Sequence, residues 1–307
     1  MKKKKCIVTG GTKKDVGNIA TLIVNIRKLN IQIDEVVVFH DGISLYEQKR
    51  INRIFPTKFY YYQFKNYDPA NFSVEINKYF SPMVLCKYEC LRLLSEYSCV
   101  IWSDYDVVLK TDFQNLLENS SCNAQFLPVK QTSVLKQFYK EIKNEAPQFD
   151  YSRSSNCYSV FAFYDNFDYL SAYDYCISAA RKYGKFLRYG EQGIFEFMLQ
   201  EYNLNIQYLA KEYSVHPTSK SVSKALIIHA YCQPKFWNGL HNDEWEENYD
   251  EWLHVYFGKL YRYRFVLKKI KSIFTKCILY MKKIIKMFLP YGIVKLFIII
   301  NKTKNEE

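Results

Sequence analysis

The sequence lacks several features that would assign it to a specialised structural class. Its nine cysteines are odd in number and include no Cys-x-x-Cys pair, so a metal knuckle is not indicated. We interpret them as buried thiols of a protein from a reducing compartment. Neither an internal repeat nor a Gly/Ser-rich linker occurs. These absences favour an ordinary globular domain.

Targeting signals and long apolar runs are also lacking. The basic run MKKKK is followed by only three apolar residues, so we expect no signal peptide. The longest uncharged runs are well short of the ~20 residues that a membrane-spanning helix needs. Yet 49% of the 307 residues are hydrophobic, with 28 tyrosines and 22 phenylalanines, which excludes a disordered chain. The chain is long enough for one large domain and an appendage.

Acidic residues are almost missing from the C-terminal segment. Residues 259–307 hold 13 Lys/Arg and only two acids, Glu306 and Glu307. The net charge of +12 therefore belongs mainly to this segment, and the rest of the chain is nearly neutral. Nucleic-acid binding by the whole domain is not indicated. We predict a folded domain over residues 1–257 and a separate basic tail over residues 258–307.

The tail interleaves lysines with large apolar residues, as in FVLKKIKSIF, and Pro290 interrupts it. This pattern predicts a basic amphipathic helix that lies on an anionic membrane surface. The alternatives are a basic helix packed on the domain and a partner-binding helix. The membrane interpretation predicts a cytoplasmic protein that is peripheral on the inner face of the cell membrane.

The body begins with the alternating pattern of an α/β fold. Strands are predicted at Cys6–Thr9, Glu35–His40 and Lys58–Phe64, with a helix at Ile19–Leu29 between the first two. This β-α-β beginning predicts a parallel or mixed sheet. Later segments predict a helix over Pro82–Tyr97, strands at Cys99–Trp102, Ala124–Val129, Val160–Tyr164 and Leu226–His229, and helices at Phe167–Lys182 and Gln192–Tyr202.

Two carboxylates, Asp104 and Asp106, follow the Cys99–Trp102 strand directly. Ligands of open α/β sheets bind outside the carboxyl ends of the strands. If period-two alternation continues, both side chains point to the same side, where they can hold one divalent ion, Mn²⁺ or Mg²⁺. The alternative is a solvated turn, because Asp-x-Asp is common by chance.

A second cluster lies in IIHAYCQPKFWNG, where His229 ends an apolar run and Lys235 and Trp237 follow. A neutral imidazole can complete a carboxylate metal site, and an ammonium can bind a diphosphate. Taken singly, His229 is a core or loop histidine and Lys235 a solvated cation. The combination with the paired aspartates favours a functional site.

These two motifs together resemble those of glycosyltransferase family 8. Ile101 to Val107 (IWSDYDV) is similar to the family's YLD-x-D strand end, and His229, Lys235 and Trp237 match H-x-x-G-P-x-K-P-W in spacing. The resemblance covers about residues 6–240. It implies the GT-A fold, a Rossmann-like mixed α/β sheet flanked by helices, to which the C-terminal basic amphipathic tail is added. It also implies retaining, nucleotide-sugar-dependent transfer.

The resemblance assigns roles to individual residues. Asp104, Asp106 and His229 would ligate the metal, and Lys235 would contact the diphosphate. Lys87, Asn156 and Asp104 would contact the donor. Glu191 and Gln192, which match the start of D-Q-D-I-L-N, would orient the donor sugar and lie near its reacting face. Without the family resemblance, Glu191 is interpreted as an acid at a helix N-terminus, where the helix dipole favours negative charge. Asn156 is then interpreted as a turn residue.

The sequence departs from the family at the uridine-binding motif D-x-N-Y. Thr9, followed by Gly10, Gly11 and Thr12, stands there, so Thr9 is the candidate donor contact of that loop. In addition Tyr158, Cys232 and Phe236 replace two glycines and a proline of the family motifs. We interpret the chain as a divergent member with its own substrate.

The resulting prediction is a hexosyltransferase that uses Mn²⁺ or Mg²⁺ and a nucleotide-sugar, UDP-hexose in the first instance. Its acceptor would be a glycan or glycolipid, as in lipopolysaccharide biosynthesis. Two alternatives remain. One is a GT-A-fold protein that has lost donor use and acts as a binding or scaffolding protein at the membrane. The other is an unrelated nucleotide-dependent transferase that uses the same paired aspartates.

Overall fold

The computed structural model describes residues 3–119 and 121–258. The described chain up to Tyr256 forms one compact unit. Within it, nine strands and eight α-helices alternate with short 3₁₀ segments. The strands are β1 Lys4–Gly11, β2 Glu35–His40, β3 Thr57–Tyr61, β4 Tyr97–Ser103, β5 Val107–Leu109, β6 Ala124–Ser133, β7 Ser154–Tyr164, β8 Ile206–Tyr208 and β9 Ile227–His229. The α-helices are α1 Val16–Lys28, α2 Leu45–Ile51, α3 Glu89–Leu93, α4 Gln114–Leu117, α5 Ile142–Glu145, α6 Tyr169–Tyr183, α7 Gln192–Glu201 and α8 Asp243–Phe257.

The main sheet has seven strands in the order β3-β2-β1-β4-β7-β6-β8. The pairs among β1, β2, β3 and β4 are all parallel, whereas β7 runs antiparallel to both β4 and β6. All six residues of β2 (EVVVFH) are buried, as expected for a strand covered on both faces. The predicted mixed α/β sheet is confirmed.

Helices cover both faces of this sheet. Alternate residues of β1 and β2 enter two separate cores: Ile7 and Val36 pack with α1, while Cys6 and Val37 face the side that holds α3, α6 and α7. The chain enters α1 through a capping box in which Thr12 and Asp15 bond each other's backbone. The first βαβ unit therefore places Gly10 and Gly11, the last residues of β1, at the carboxyl edge of the sheet.

A second, two-stranded sheet pairs β5 with β9, antiparallel, in the register Val107↔His229. Strand β5 is the apolar triplet that follows the paired aspartates. This pairing folds the chain back directly after β4. It brings a segment more than 100 residues downstream to the carboxyl edge of the main sheet.

The helix predicted over Pro82–Tyr97 differs from the observed structure. Residues Pro82–Tyr88 form a 3₁₀ segment, α3 covers only Glu89–Leu93, and Tyr97 already belongs to β4. The β3 strand also ends at Tyr61, earlier than the predicted Phe64. Both apolar patterns arise from burial against the same core, which periodicity alone does not assign to one helix type.

The predicted basic tail, residues 258–307, lies outside the described residues except for Gly258. Among the described residues, no helix combines the length and apolar character that crossing a membrane requires. The proposed division into residues 1–257 and 258–307 stays a prediction, as does the membrane-surface helix.

Candidate active site

Asp104 and Asp106 lie in the bend between β4 and β5 rather than on a strand. The expectation that strand alternation aligns them was therefore wrong, because the chain turns at this point. The Asp104 backbone N–H donates to the Ser159 carbonyl at 2.8 Å, and the Trp102 indole Nε1–H donates to Asp104 Oδ1 at 2.8 Å. Asp106 is buried. The bend, held by these two bonds, presents both carboxylates to the same place.

His229 reaches the aspartates through the β5–β9 pairing. Its Nε2 lies 3.4 Å from Asp106 Oδ1, and the Ala230 N–H donates to the Asp106 carbonyl at 2.9 Å. On the other side of the ring, Nδ1 is 3.0 Å from the Ser214 hydroxyl oxygen. An Nδ1–H that donates to Ser214 leaves the Nε2 lone pair on the side of the carboxylates.

One ligand atom from each of Asp104, Asp106 and His229 lies within 4.8 Å of the other two. Two carboxylate oxygens and one imidazole nitrogen are a donor set that suits Mn²⁺ or a related divalent cation. The Ser214 contact is the kind of outer-shell partner that fixes a ligating histidine. The residues present therefore fit the metal that the sequence predicts.

Lys235 also contacts Asp106. Its ammonium forms an ion pair with Asp106 Oδ2 and donates to the Ala230 carbonyl at 2.7 Å. Burial alone would raise the pKa of Asp106, but His229 and Lys235 outweigh it and hold this pKa well below its usual range. The Asp106 carboxylate therefore stays charged at any physiological pH.

Lys87 lies between two carboxylates in the interior. Its Nζ is 3.2 Å from Asp104 Oδ1 and 3.0 Å from Glu191 Oε1, and it donates to the Tyr158 carbonyl at 2.9 Å. Burial lowers the pKa of Lys87, but the charges of Asp104 and Glu191 outweigh this and raise it. A permanent positive charge therefore lies beside the paired aspartates.

Glu191 precedes α7 and is fully buried. It lies at the helix N-terminus, as the alternative interpretation expected, but its side chain makes no capping bond to the backbone. Burial raises its pKa, against the opposing charge of Lys87. Among the described residues, Glu191 Oε2 has no hydrogen-bond donor. A buried, unpartnered carboxylate oxygen next to a cation is expected where a ligand supplies the missing donor.

Gln192 and Asn156 are two other predicted donor-side residues, and they differ in their contacts. Gln192 follows Glu191 directly, and Asn156 lies two residues before Tyr158. Gln192 is the half-buried first residue of α7. The Asn156 backbone N–H donates to Glu196 Oε1 at 2.5 Å, and its Nδ2 lies 3.3 Å and 3.4 Å from the two Glu196 oxygens. The structure thus directs the Asn156 amide toward Glu196. It gives Asn156 no contact with Lys87, Asp104 or Glu191 within the described chain.

At the end of β1, where the sequence departs from the family's uridine-binding motif, an aromatic ring packs over the backbone. Thr9 is buried at the end of β1, and its hydroxyl has no partner among the described residues. The Tyr105 ring covers the neighbouring Gly11, where an added Cβ would lie 3.0 Å from Tyr105 Cε1. Tyr105 also meets Trp237, with 5.9 Å between ring centroids. A side chain at position 11 would therefore press on the aromatic ring that lies between the two aspartates in sequence.

Several supporting residues were not anticipated from the sequence. Trp102 lies two residues before Asp104, so its position was a usable signal. Ser214 and Glu196 gave none, because each supports its partner only through tertiary contacts. The predicted residues that the structure brings together are Asp104, Asp106, His229, Lys235, Lys87 and Glu191.

Comparisons with known proteins show which fold and family the chain resembles. The solved structures include WbbM, a bifunctional glycosyltransferase in its apo form: TM-score 0.56, 14% identity, covering 84% of this chain and 50% of WbbM. They also include the galactosyltransferase LgtC, in complex with donor and acceptor sugar analogs: TM-score 0.55, 12% identity, 82% and 95% coverage. A third is apo GlyE of Streptococcus pneumoniae TIGR4: TM-score 0.55, 14% identity, 83% and 62% coverage.

The chain therefore spans about half the length of WbbM and under two thirds of GlyE. At these identities the likeness shows the fold, which is that of GT-A glycosyltransferases. A search of curated proteins found no match. A family model described as "Glycosyl transferase family 8" matches residues 6–240, most of the compact unit. The chain belongs to glycosyl transferase family 8.

Proposed function

We propose that the protein is a retaining hexosyltransferase that takes its sugar from a nucleotide diphosphate donor, with UDP-hexose as the first candidate. The acceptor is a glycan or glycolipid. The observation that carries the proposal is the meeting of Asp104 and Asp106 with His229, which comes from a distant part of the chain. Random surface acids would not be joined by a buried histidine that has its own supporting hydroxyl.

Asp104, Asp106 and His229 would hold a divalent cation, Mn²⁺ or Mg²⁺, and such a cation withdraws negative charge from a leaving nucleoside diphosphate. Trp102 and Ser214 would keep Asp104 and His229 oriented for this role. The permanent charge of Asp106 favours cation binding over the whole physiological pH range.

Lys235 and Lys87 supply fixed positive charge near the expected diphosphate. Lys235 is partly exposed and bonds Asp106, so an arriving diphosphate can compete for its ammonium. Lys87 is buried, where electrostatic interactions are stronger than in water. We infer that Lys235 contacts the diphosphate and that Lys87, which forms ion pairs with Asp104 and Glu191, holds both side chains in place.

Glu191 is proposed to accept a hydrogen bond from a hydroxyl of the donor sugar through its unpartnered Oε2. By the family resemblance, Gln192 would lie near the reacting face of the donor sugar. An amide is too weak a nucleophile to form a stable adduct there. We propose front-face transfer: the acceptor oxygen bonds the anomeric carbon as the bond to phosphate breaks, and the acceptor proton passes to the leaving phosphate oxygen. Thr9 and Asn156 remain candidate donor contacts.

The cellular setting belongs to the same proposal. A basic tail on an anionic membrane would place the enzyme on the cytoplasmic face, next to a lipid-linked acceptor such as a lipopolysaccharide precursor. No nucleic acid is needed as a partner.

The test is turnover of UDP-glucose and UDP-galactose by the full chain, with Mn²⁺ and with EDTA, followed by NMR of the product's anomeric configuration. Asp106→Asn should lower turnover at least 100-fold, whereas Asp243→Asn, at an exposed aspartate far along the chain, should not change it. Absence of donor binding with and without Mn²⁺ would favour the scaffolding alternative. An inverted product, or a glycosyl adduct trapped on a side chain, would contradict the front-face route.

A further inference from the structure

A cavity of about 500 Å³ opens beside β3, the terminal strand of the main sheet. Its walls are the last residues of β2 and β3, the segment after β3, and parts of α3 and α6. Within the described chain, none of the candidate active-site residues lines it. Two strands, β2 and β1, separate β3 from β4, which amounts to roughly 14 Å across the sheet. We call this space the β3-edge cavity.

Aromatic rings form one side of the β3-edge cavity. Tyr60 stacks on Phe39 with centroids 5.6 Å apart, and Tyr62 meets Phe39 edge-on at 5.9 Å. Tyr61 at the rim is 69% exposed. Packed rings of this kind are rigid and offer both an apolar face and a hydroxyl, which suits a ligand with apolar C–H faces and polar edges.

The other side of the cavity carries charged groups. One of them, Glu89, already has hydrogen-bond donors within the protein. Buried Glu89 accepts from Arg92 Nε at 2.6 Å and from the Tyr173 hydroxyl at 2.9 Å, one bond to each oxygen. The Arg92 side chain is half exposed. Glu89 therefore serves to orient Arg92 and Tyr173 and has little capacity left for a ligand.

A second arginine, Arg181, lines the same cavity. Its Nη2 donates to the Lys65 carbonyl at 3.0 Å, and its carbon Cζ lies 6.0 Å from the Phe64 ring centroid. Its Nε is inaccessible and has no acceptor among the described residues. With Lys65 the lining holds three cations, against the satisfied Glu89 and the exposed Asp174. Because Arg92 is paired with Glu89, the remaining charges are those of Arg181 and Lys65 against Asp174, and the cavity keeps a net positive charge.

We propose that the β3-edge cavity binds an acidic saccharide, that is, a glycan segment that carries a sugar carboxylate. Guanidinium groups recognise a carboxylate by paired hydrogen bonds, while the tyrosine rings receive the flat C–H face of a pyranose. Gln63 and Ser178 at the rim can bond sugar hydroxyls. The volume lies in the range of small-molecule sites and accommodates one or two sugar rings.

Such a site gives the protein a function beyond transfer, because it would retain a glycan chain at a distance from the reacting carbon. It requires nothing of the donor chemistry and stands independently of the proposed transferase activity. A neutral saccharide would leave the remaining guanidinium donors of Arg92 and Arg181 unused, and a simple phosphate would leave the tyrosine rings unused.

The test is calorimetric titration of the full chain with digalacturonic acid, with its neutral counterpart galactobiose, and with inorganic phosphate. We expect digalacturonic acid to bind at least 10-fold more tightly than either of the others. Arg181→Gln and Arg92→Gln should each weaken it at least 10-fold, while Arg53→Gln, an exposed arginine outside the cavity, should have no effect. Arg181→Lys, which keeps the charge without the planar fork, should recover only part of the affinity.

Equal binding of the acidic and neutral disaccharides would overturn the proposal, as would binding that survives both arginine changes in folded protein. Phosphate that binds as tightly as digalacturonic acid would reduce the cavity to a general anion site and equally refute it. Thermal melting of each variant identifies any loss that comes from unfolding. Asp106→Asn should leave this titration unchanged, so failure of the saccharide site and failure of the transferase proposal are distinguishable.

Discussion

Glu196 should make the stability of this protein fall as the pH rises through neutrality. Its carboxyl is buried against β7, where it accepts bonds from the backbone and side chain of Asn156. Burial raises its pKa to about 7, against the opposing hydrogen bonds of Asn156 and Tyr158. The folded protein therefore holds the Glu196 proton more tightly than the unfolded chain does.

The size of the effect follows from proton linkage. The unfolded pKa of glutamate is about 4.3, and each pKa unit corresponds to about 1.4 kcal/mol. The stabilisation by Glu196 is fully present below the unfolded pKa and is lost by the time the pH exceeds the folded pKa of about 7. The expected loss is about 4 kcal/mol between about pH 4 and pH 8.

Urea unfolding at half-unit pH intervals measures this directly, with the difference between variant and parent as the readout. Glu196→Gln keeps an acceptor oxygen for the Asn156 N–H but cannot ionise. It should match the parent near pH 4.5 and exceed it by about 3–4 kcal/mol at pH 8. Glu141→Gln, at an exposed helix-flanking acid, should follow the parent throughout. Parallel pH profiles for the parent and Glu196→Gln would refute the reasoning, since other buried acids such as Glu191 cancel in the difference.

Three further predictions concern separate parts of the chain. Ser214→Ala should weaken Mn²⁺ binding, measured by calorimetry, about 10- to 100-fold, because His229 loses its orienting partner. Ser214→Thr keeps the hydroxyl and should retain Mn²⁺ affinity. Equal losses of affinity in both variants would contradict an orienting role for Ser214. Gly193→Ala should destabilise the protein by about 1–3 kcal/mol in urea unfolding, since an added Cβ would lie 2.4 Å from the Phe138 ring; a Phe138→Leu background should relieve the cost. Removal of residues after 258 should release the protein from anionic vesicles in a sedimentation assay, and continued binding would exclude the tail as the membrane anchor.

The candidate site was predictable where its signals are local in sequence. The Asp-x-Asp pair after an apolar run and the His229–Lys235–Trp237 spacing each carry their chemistry within a few residues. Lys87 and Glu191 were named only through the family resemblance. In the folded chain, the buried Lys87 ammonium bridges Glu191 and Asp104. These two acids are more than 80 residues apart, so no local sequence pattern encodes the contact.

The limits of the prediction are equally physical. Hydrophobic periodicity reports burial, so the apolar repeat over residues 82–97 was the same whether the chain formed a 3₁₀ segment, a short helix or the start of β4. Likewise the sequence contains Tyr105 and Gly11 as separate facts. Only the folded chain shows that the Tyr105 ring packs closely over Gly11.

By itself, the sequence determined the alternating α/β architecture, the paired carboxylates and the family, because these depend on side-chain type and short-range order along the chain. The tertiary structure decided which groups meet. The antiparallel pairing of β5 with β9 sets His229 beside Asp106. Packing of the interior makes Lys87 the shared counter-ion of the buried Glu191 and the partly buried Asp104. Contacts of this kind depend on strand register and on the cost of leaving a buried charge unpaired, and both are properties of the packed chain as a whole.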